Sequence, residues 1–392
     1  MASAENNEAA KRLMGWTEKF RKEKNHLFYA PISLQQAATT ADQPAKGLVW
    51  ASRTVLPAPK DNSIVSSITE AIHSLSDDPH KEDLVATLAD VKVQWSGFRS
   101  GVGKNEPEPD ITEEEKYRGL MKDTKSRTTI IYAVRPEDIV IAGESTGGNL
   151  CIAFLLLLRR YQHKNTCINF HDKRISVPYP AGFATFGAQG DATMSFPSYL
   201  RNAKYDILND VHPTRSDDLQ PDSIWPSKPP RSHIYAPTTD LITHPLVSPV
   251  SSKEWPANSP PLFFAYGQEC MLDEGSFMAK QAFRAGASVQ FHQYNTLPHI
   301  FAFFAQIPQA AHLFTQWAKF CRDCVEDPKA AASNGYHVYE PMTDSPGFKS
   351  VPQDIGDGSG FTKLEYEKVL KMIDEKKKTM KAWNGPKRSS VL

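Results

Sequence analysis

From about residue 139 onward, short apolar runs alternate with longer apolar stretches of helical length. Residues 139–142, Ile-Val-Ile-Ala, are too few for a helix and read as a buried strand. Residues 149–160 follow as an apolar helix. The pair recurs downstream: Leu262–Gly267, led by Pro260 and Pro261, reads as a second buried strand, and residues 276–285, closed by Gly286, as a helix. Val289–Tyr294 reads as a third strand, with another apolar helix starting around Phe301. A further apolar strand falls within 174–186. Continuous apolar strands alternating with helices predict a mostly parallel sheet flanked by helices, an α/β fold. Upstream, helical patterns cover residues 9–22 and 64–75, residues 91–99 alternate like a strand, and residues 128–133 form another strand-like run. The acidic stretch 105–118 predicts an exposed loop or short helix.

At the first strand-to-helix junction stands Gly143-Glu144-Ser145-Thr146-Gly147. A sharp turn between strand and helix lifts a serine side chain out of the chain path, and its neighbours must be small because backbones crowd there. Gly143 and Gly147 are the expected small residues of this elbow. The backbone N–H of Thr146 lies at a helix N-terminus, where a developing oxyanion is stabilised. Alone the pentapeptide is a weak signal; preceded by a strand and followed by a helix, it marks Ser145 as a nucleophile.

Such a serine needs a base and an acid, which in this arrangement follow in the chain order serine, acid, histidine. His299 follows the strand Val289–Tyr294 and Pro298, and precedes a helix, so it is the expected base among the 12 histidines. For the acid two residues compete. Glu269 directly follows the strand Leu262–Gly267, where a carboxylate reaches an imidazole, and is preferred. Asp273 is the alternative; its plain reading is an acidic residue favoured at a helix N-terminus by the dipole.

These pieces resemble the hormone-sensitive-lipase-like group of α/β-hydrolase esterases. The matching segments are Gly143 to Leu150, His244-Pro245-Leu246-Val247-Ser248-Pro249, Glu269 to Gly275, and Leu297-Pro298-His299-Ile300-Phe301, in an order and spacing that fit from Arg135 to about Cys324. The resemblance implies an α/β-hydrolase fold with a helical cap, hydrolysis of small or medium carboxylic esters, no metal and no organic cofactor. It also implies Glu269 as the acid, at a position where aspartate is commoner. One departure is large. The family carries a His-Gly-Gly loop before the elbow, whose N–H groups complete the oxyanion hole; no such tripeptide occurs in the 392 residues. The strand-like run 128–133 joins the approach to the elbow directly; against the family pattern the simplest reading is that a block holding the loop, two helices and a core strand is missing at the Ala133/Val134 junction, and the alternative is a sheet rearranged there. Parallel neighbours need a crossover of about a dozen residues, which this junction lacks. Losing one oxyanion donor costs about 2.7–4 kcal/mol in transition-state stabilisation.

Composition narrows the remaining choices. Apolar residues make up 40 % of the chain, enough for a substantial core. Lys+Arg and Asp+Glu are 45 each, which gives no electrostatic reason to expect nucleic acid as a partner. No apolar stretch has the length of a membrane span. The polar N-terminus argues against a secretory signal, and 5 cysteines without framework spacing suit a reducing compartment, so the cytoplasm is expected. Cys321 and Cys324 lack the second pair a zinc site needs. The expected organisation is an N-terminal helical cap region over 1–90, a hydrolase core over 91–328 with a cap insertion at about 187–260, and a flexible extension over 329–392. A helix at 361–383 ends that extension; its amphipathic pattern and basic flank raise contact with a membrane surface or a partner. Tyr199, Trp225 and Tyr235 in the cap insertion either line an acyl pocket or pack the cap itself.

Overall fold

The computed structural model describes residues 7–28, 30–40, 44–60, 63–76, 86–125, 136–163, 167–170, 173–208, 221–227, 231–303, 306–342 and 348–383. The helices, in chain order, are α1 (Glu8–Phe28), α2 (Ile32–Thr40), α3 (Ser63–His73), α4 (Glu113–Asp123), α5 (Ser145–His163), α6 (Ser198–Arg201), α7 (Leu272–Arg284), α8 (Pro308–Glu326), α9 (Pro328–Ala331) and α10 (Tyr366–Thr379). The strands are β1 (Val49–Leu56), β2 (Val91–Phe98), β3 (Val140–Glu144), β4 (Cys167–Phe170), β5 (Lys173–Ser176), β6 (Gly182–Phe186), β7 (Leu262–Gly267), β8 (Val289–Tyr294), β9 (Gly335–Pro341) and β10 (Phe348–Pro352).

The main sheet has the order β10-β9-β8-β7-β6-β3. Every pair from β3 to β9 is parallel, and β10 closes the edge antiparallel to β9. Every residue of β7 is buried, which is why its sequence is an unbroken apolar run. The side-chain alternation of a strand divides that run between two cores. Leu262, Phe264 and Tyr266 pack with Ile152, Leu155, Phe277 and Met278 from α5 and α7 on one face. Phe263 and Ala265 pack with Leu313, Phe320 and Cys321 from α8 on the other. Cys321 and Cys324 are buried, with their thiols pushed up to about 12 by that burial.

Several expectations are corrected. The stretch 1–90 is not helical throughout: it contributes β1, which pairs antiparallel with β2 in a separate two-stranded sheet. For the acidic stretch, the short-helix alternative is the one found: α4 begins there with a capping box in which Thr112 and Glu115 satisfy each other's backbone N–H groups. It seats on β1 through Trp50, whose indole donates to Asp123 at 2.8 Å. The helix expected near Phe301 is a single 3₁₀ turn at Phe301–Phe303, and the long helix starts at Pro308.

The largest correction concerns residues 329–392, expected to be flexible. They add β9 and β10 to the main sheet and dock α10 on the body. Tyr336 and Val338 of β9 are buried, as are Val369 and Ile373 of α10. The amphipathic face suggested for a membrane or partner is therefore spent inside the molecule. The buried amine of Lys280 on α7 fixes the arrangement, donating to the carbonyls of Thr362 and Leu364 and to the carboxylate of Glu365 at 2.7–3.1 Å. The strand-like run 128–133 and the Ala133/Val134 junction lie outside the described residues. Among the described residues no helix is long and apolar enough to cross a membrane.

Candidate active site

The elbow forms where β3 runs into α5 with no intervening loop: Glu144 ends the strand and Ser145 begins the helix. Ser145 has φ 51°, a left-handed conformation that a residue with a side chain occupies at a cost, as a nucleophile elbow requires. The glycines divide unevenly around it. A Cβ on Gly143 would lie 2.4 Å from the carbonyl oxygen of Gly147, and one on Gly148 would lie 2.6 Å from Cβ of Ala188. A Cβ on Gly147 would meet no described atom within 4 Å. The crowding expected at Gly147 thus falls on its neighbour, where the helix start presses against the loop after β6.

The ends of β3, β7 and β8 bring three predicted side chains together. His299 Nε2 lies 2.9 Å from Ser145 Oγ, and His299 Nδ1 lies 3.1 Å from Glu269 Oε1. Glu269 is fully buried and His299 nearly so. Burial opposes charge on His299, but the nearby carboxylates of Glu269, Asp206 and Glu144 outweigh it and raise the imidazole above its ordinary value. Burial raises Glu269 as well, and the facing imidazole pulls it back. Asp273 is elsewhere. It opens α7 and forms an ion pair with Arg201, the helix-end role that the alternative reading gave it.

Two contributors were not singled out from sequence. Gly187, at φ 57°, carries the chain past the imidazole: a Cβ there would lie 2.9 Å from His299 Cε1 and 3.1 Å from Glu269 Oε1. Asp206, fully buried, accepts from the backbone N–H of His299 at 3.0 Å and of Cys270 at 2.5 Å. Other bonds brace the same loops. Asn202 donates to the carbonyl of Glu269 at 2.9 Å, and Gln268 accepts from the N–H of Thr296 at 3.0 Å.

Thr146 follows Ser145 in the first turn of α5, and its side chain neighbours the Tyr235 hydroxyl, so the segment 187–260 reaches the elbow. Trp225 is buried edge-on against Trp383, with ring centroids 6.0 Å apart, and Tyr199 packs against the main core, so both tie the 187–260 segment to the rest of the molecule. Among the described residues no group of three or more His, Cys, Asp or Glu is placed to hold a metal ion.

A family model described as alpha/beta hydrolase fold matches residues 117–303. No curated protein matches the sequence. Among solved structures, the chain is similar to EstE5 soaked in ethyl alcohol at 18 % identity, covering 55 % of this chain and 62 % of that one, with a TM-score of 0.35. It therefore spans about three-fifths of that structure's length. An esterase/lipase from an uncultured bacterium is similar at 16 % identity over 78 % of this chain and 97 % of that one, with a TM-score of 0.41. An esterase from the bacterial hormone-sensitive lipase family is similar at 15 % identity over 83 % and 100 %, with a TM-score of 0.39. Likeness at these scores carries no argument about the reaction. The family match, the parallel sheet and the strand-to-helix elbow agree: the chain carries an alpha/beta hydrolase fold, with residues 117–303 similar to that family's model.

Proposed function

We propose that this protein hydrolyses carboxylic esters through an acyl-enzyme formed on Ser145. The observation that carries the reading is the continuous contact from Ser145 Oγ to His299 Nε2 and from His299 Nδ1 to Glu269. In this reading the Ser145 hydroxyl attacks the ester carbonyl while His299 takes its proton. Glu269 holds the ring in the tautomer that leaves Nε2 free to accept, and stabilises the imidazolium that forms. The N–H of Thr146 supports the oxyanion. Collapse of the tetrahedral species breaks the ester bond, and His299 returns the proton to the departing alcohol. Water, activated by the same imidazole, then releases the acid. No step calls on a metal or an organic cofactor.

The test is turnover of a short-chain aryl ester. Loss of the nucleophile in Ser145→Ala is expected to lower kcat by about 10⁶-fold. Turnover that survives the substitution would falsify the assignment.

A second reading, a catalytically impaired homologue, rests on one specific observation. The sequence lacks a His-Gly-Gly loop before the elbow, and among the described residues β3 has a strand neighbour on one side only. Restoring such a loop between Ala133 and Val134 would, on this reading, raise turnover about 10²–10³-fold, the value of one oxyanion donor. Wild-type turnover already equal to the loop-restored chain rules it out.

A further inference from the structure

We propose that Asp206 is a positioning residue, whose carboxylate clamps the loop bearing the acid to the loop bearing the base. The proposal rests on the assignment of Ser145, His299 and Glu269 given above. Asp206 follows a 3₁₀ turn, Ala203–Tyr205, in the segment between β6 and β7, and its side chain is fully buried. One oxygen, Oδ1, accepts from the backbone N–H of His299 at 3.0 Å and from that of Leu208 at 3.3 Å. The other, Oδ2, accepts from the backbone N–H of Cys270 at 2.5 Å. Cys270 is the residue after Glu269. The two arms of the carboxylate thus hold the backbone at the base itself and one residue beyond the acid.

The acid and base loops leave neighbouring parallel strands, and nothing in a strand pair fixes the angle at which two following loops diverge. A carboxylate suits the task because it offers acceptors in two directions to donors that would otherwise be buried unsatisfied. The same turn supplies Asn202, whose amide donates to the carbonyl of Glu269 at 2.9 Å, so both sides of the acid's backbone are held. The negative charge of Asp206 also bears on the ring: with Glu269 and Glu144 it favours the protonated imidazole, against burial. Glu269, Cys270 and Tyr199 are the titratable neighbours affected by that charge, besides His299.

The direct test needs no activity. In protein carrying ¹⁵N-histidine and ¹⁵N-cysteine, the amides of His299 and Cys270, assigned through His299→Gln and Cys270→Ala, are expected to exchange with deuterium slowly and to resonate downfield, as donors to a charged acceptor do. Rapid exchange of both amides in the folded wild type overturns the clamp. The second test is Asp206→Asn, which keeps the shape but turns one acceptor into a donor facing a backbone N–H. We expect kcat to fall 10- to 100-fold with KM changed less than threefold, and the His299 ring to titrate at lower pH. Unchanged kcat and unchanged ring titration in a folded variant also overturn it. Protected amides in a wild type without esterase turnover would leave the clamp standing and count against the ester-hydrolase reading instead.

Discussion

The two flanks of the elbow strand are built differently. On one side β6, β7 and β8 follow in parallel, their interiors almost wholly buried, and the loops at their ends are tied together by Asp206, Asn202 and Gln268. On the other side no described strand pairs with β3. Apart from the main sheet, β1 and β2 form a sheet of their own whose Val55, Leu56, Val91 and Phe98 are exposed. The contrast separates two requirements of acyl chemistry. In the proposed mechanism, proton transfer among Ser145, His299 and Glu269 depends on strands of the first flank. Stabilisation of the oxyanion beyond the proposed Thr146 N–H would fall to the second, where the sequence lacks the His-Gly-Gly loop.

Substitutions on the braced flank should therefore be felt strongly, and those on the two-stranded sheet weakly. After the nucleophile itself, the largest effect is expected at Glu269→Gln, which leaves the shape but removes the charge that holds the tautomer: a loss of about 10⁴ in kcat. The direction of its pH dependence follows from the same charge. His299 acts only when neutral, and its raised pKa places the acidic limb of kcat/KM above the ordinary histidine value of 6.5. Activity falls as pH drops through that limb, and in Glu269→Gln the limb moves to lower pH. A pH–rate profile that keeps its midpoint in the variant breaks the link between Glu269 and His299.

Next is Phe264→Ala, in the core between β7 and α7, expected to cost about 3–5 kcal/mol in a urea melt. Lys280→Met follows. Its amine is buried but its partner Glu365 is largely exposed, so the loss is that of its hydrogen bonds, about 1–3 kcal/mol. That value measures how firmly β9, β10 and α10 are part of the body. Smallest is Val55→Thr on the exposed part of the two-stranded sheet, expected to stay within about 0.5 kcal/mol. A cost at Val55 matching that at Phe264 would show this sheet to be as integral as the core and erase the contrast.

What could be read from the sequence was local. The Ser145 elbow announces itself because strand, turn and helix are contiguous, and Glu269 and His299 because each follows a strand-like segment. Asp206 was not legible: its partners lie 64 and 93 residues further along, and its own surroundings look like any polar loop. Gly187 was missed for the same reason, since its need for glycine arises from a ring that arrives from another strand. The strand β9 was concealed by composition. Tyr336 and Val338 do alternate inward, but the Gly, Ser, Pro and Asp around them obscured a period of two. The distinction between Glu269 and Asp273 was half visible, because first-turn position marked Asp273 as a helix-end residue before its pairing with Arg201 was known.

The central claim is that the Ser145 hydroxyl is activated by His299. It is tested most directly by reacting the folded protein with a fluorophosphonate probe and locating the adduct by mass spectrometry. The account predicts one adduct per chain, on Ser145, absent in Ser145→Ala and formed far more slowly in His299→Ala. A folded protein left unlabelled, or labelled as fast without the imidazole as with it, would contradict the claim.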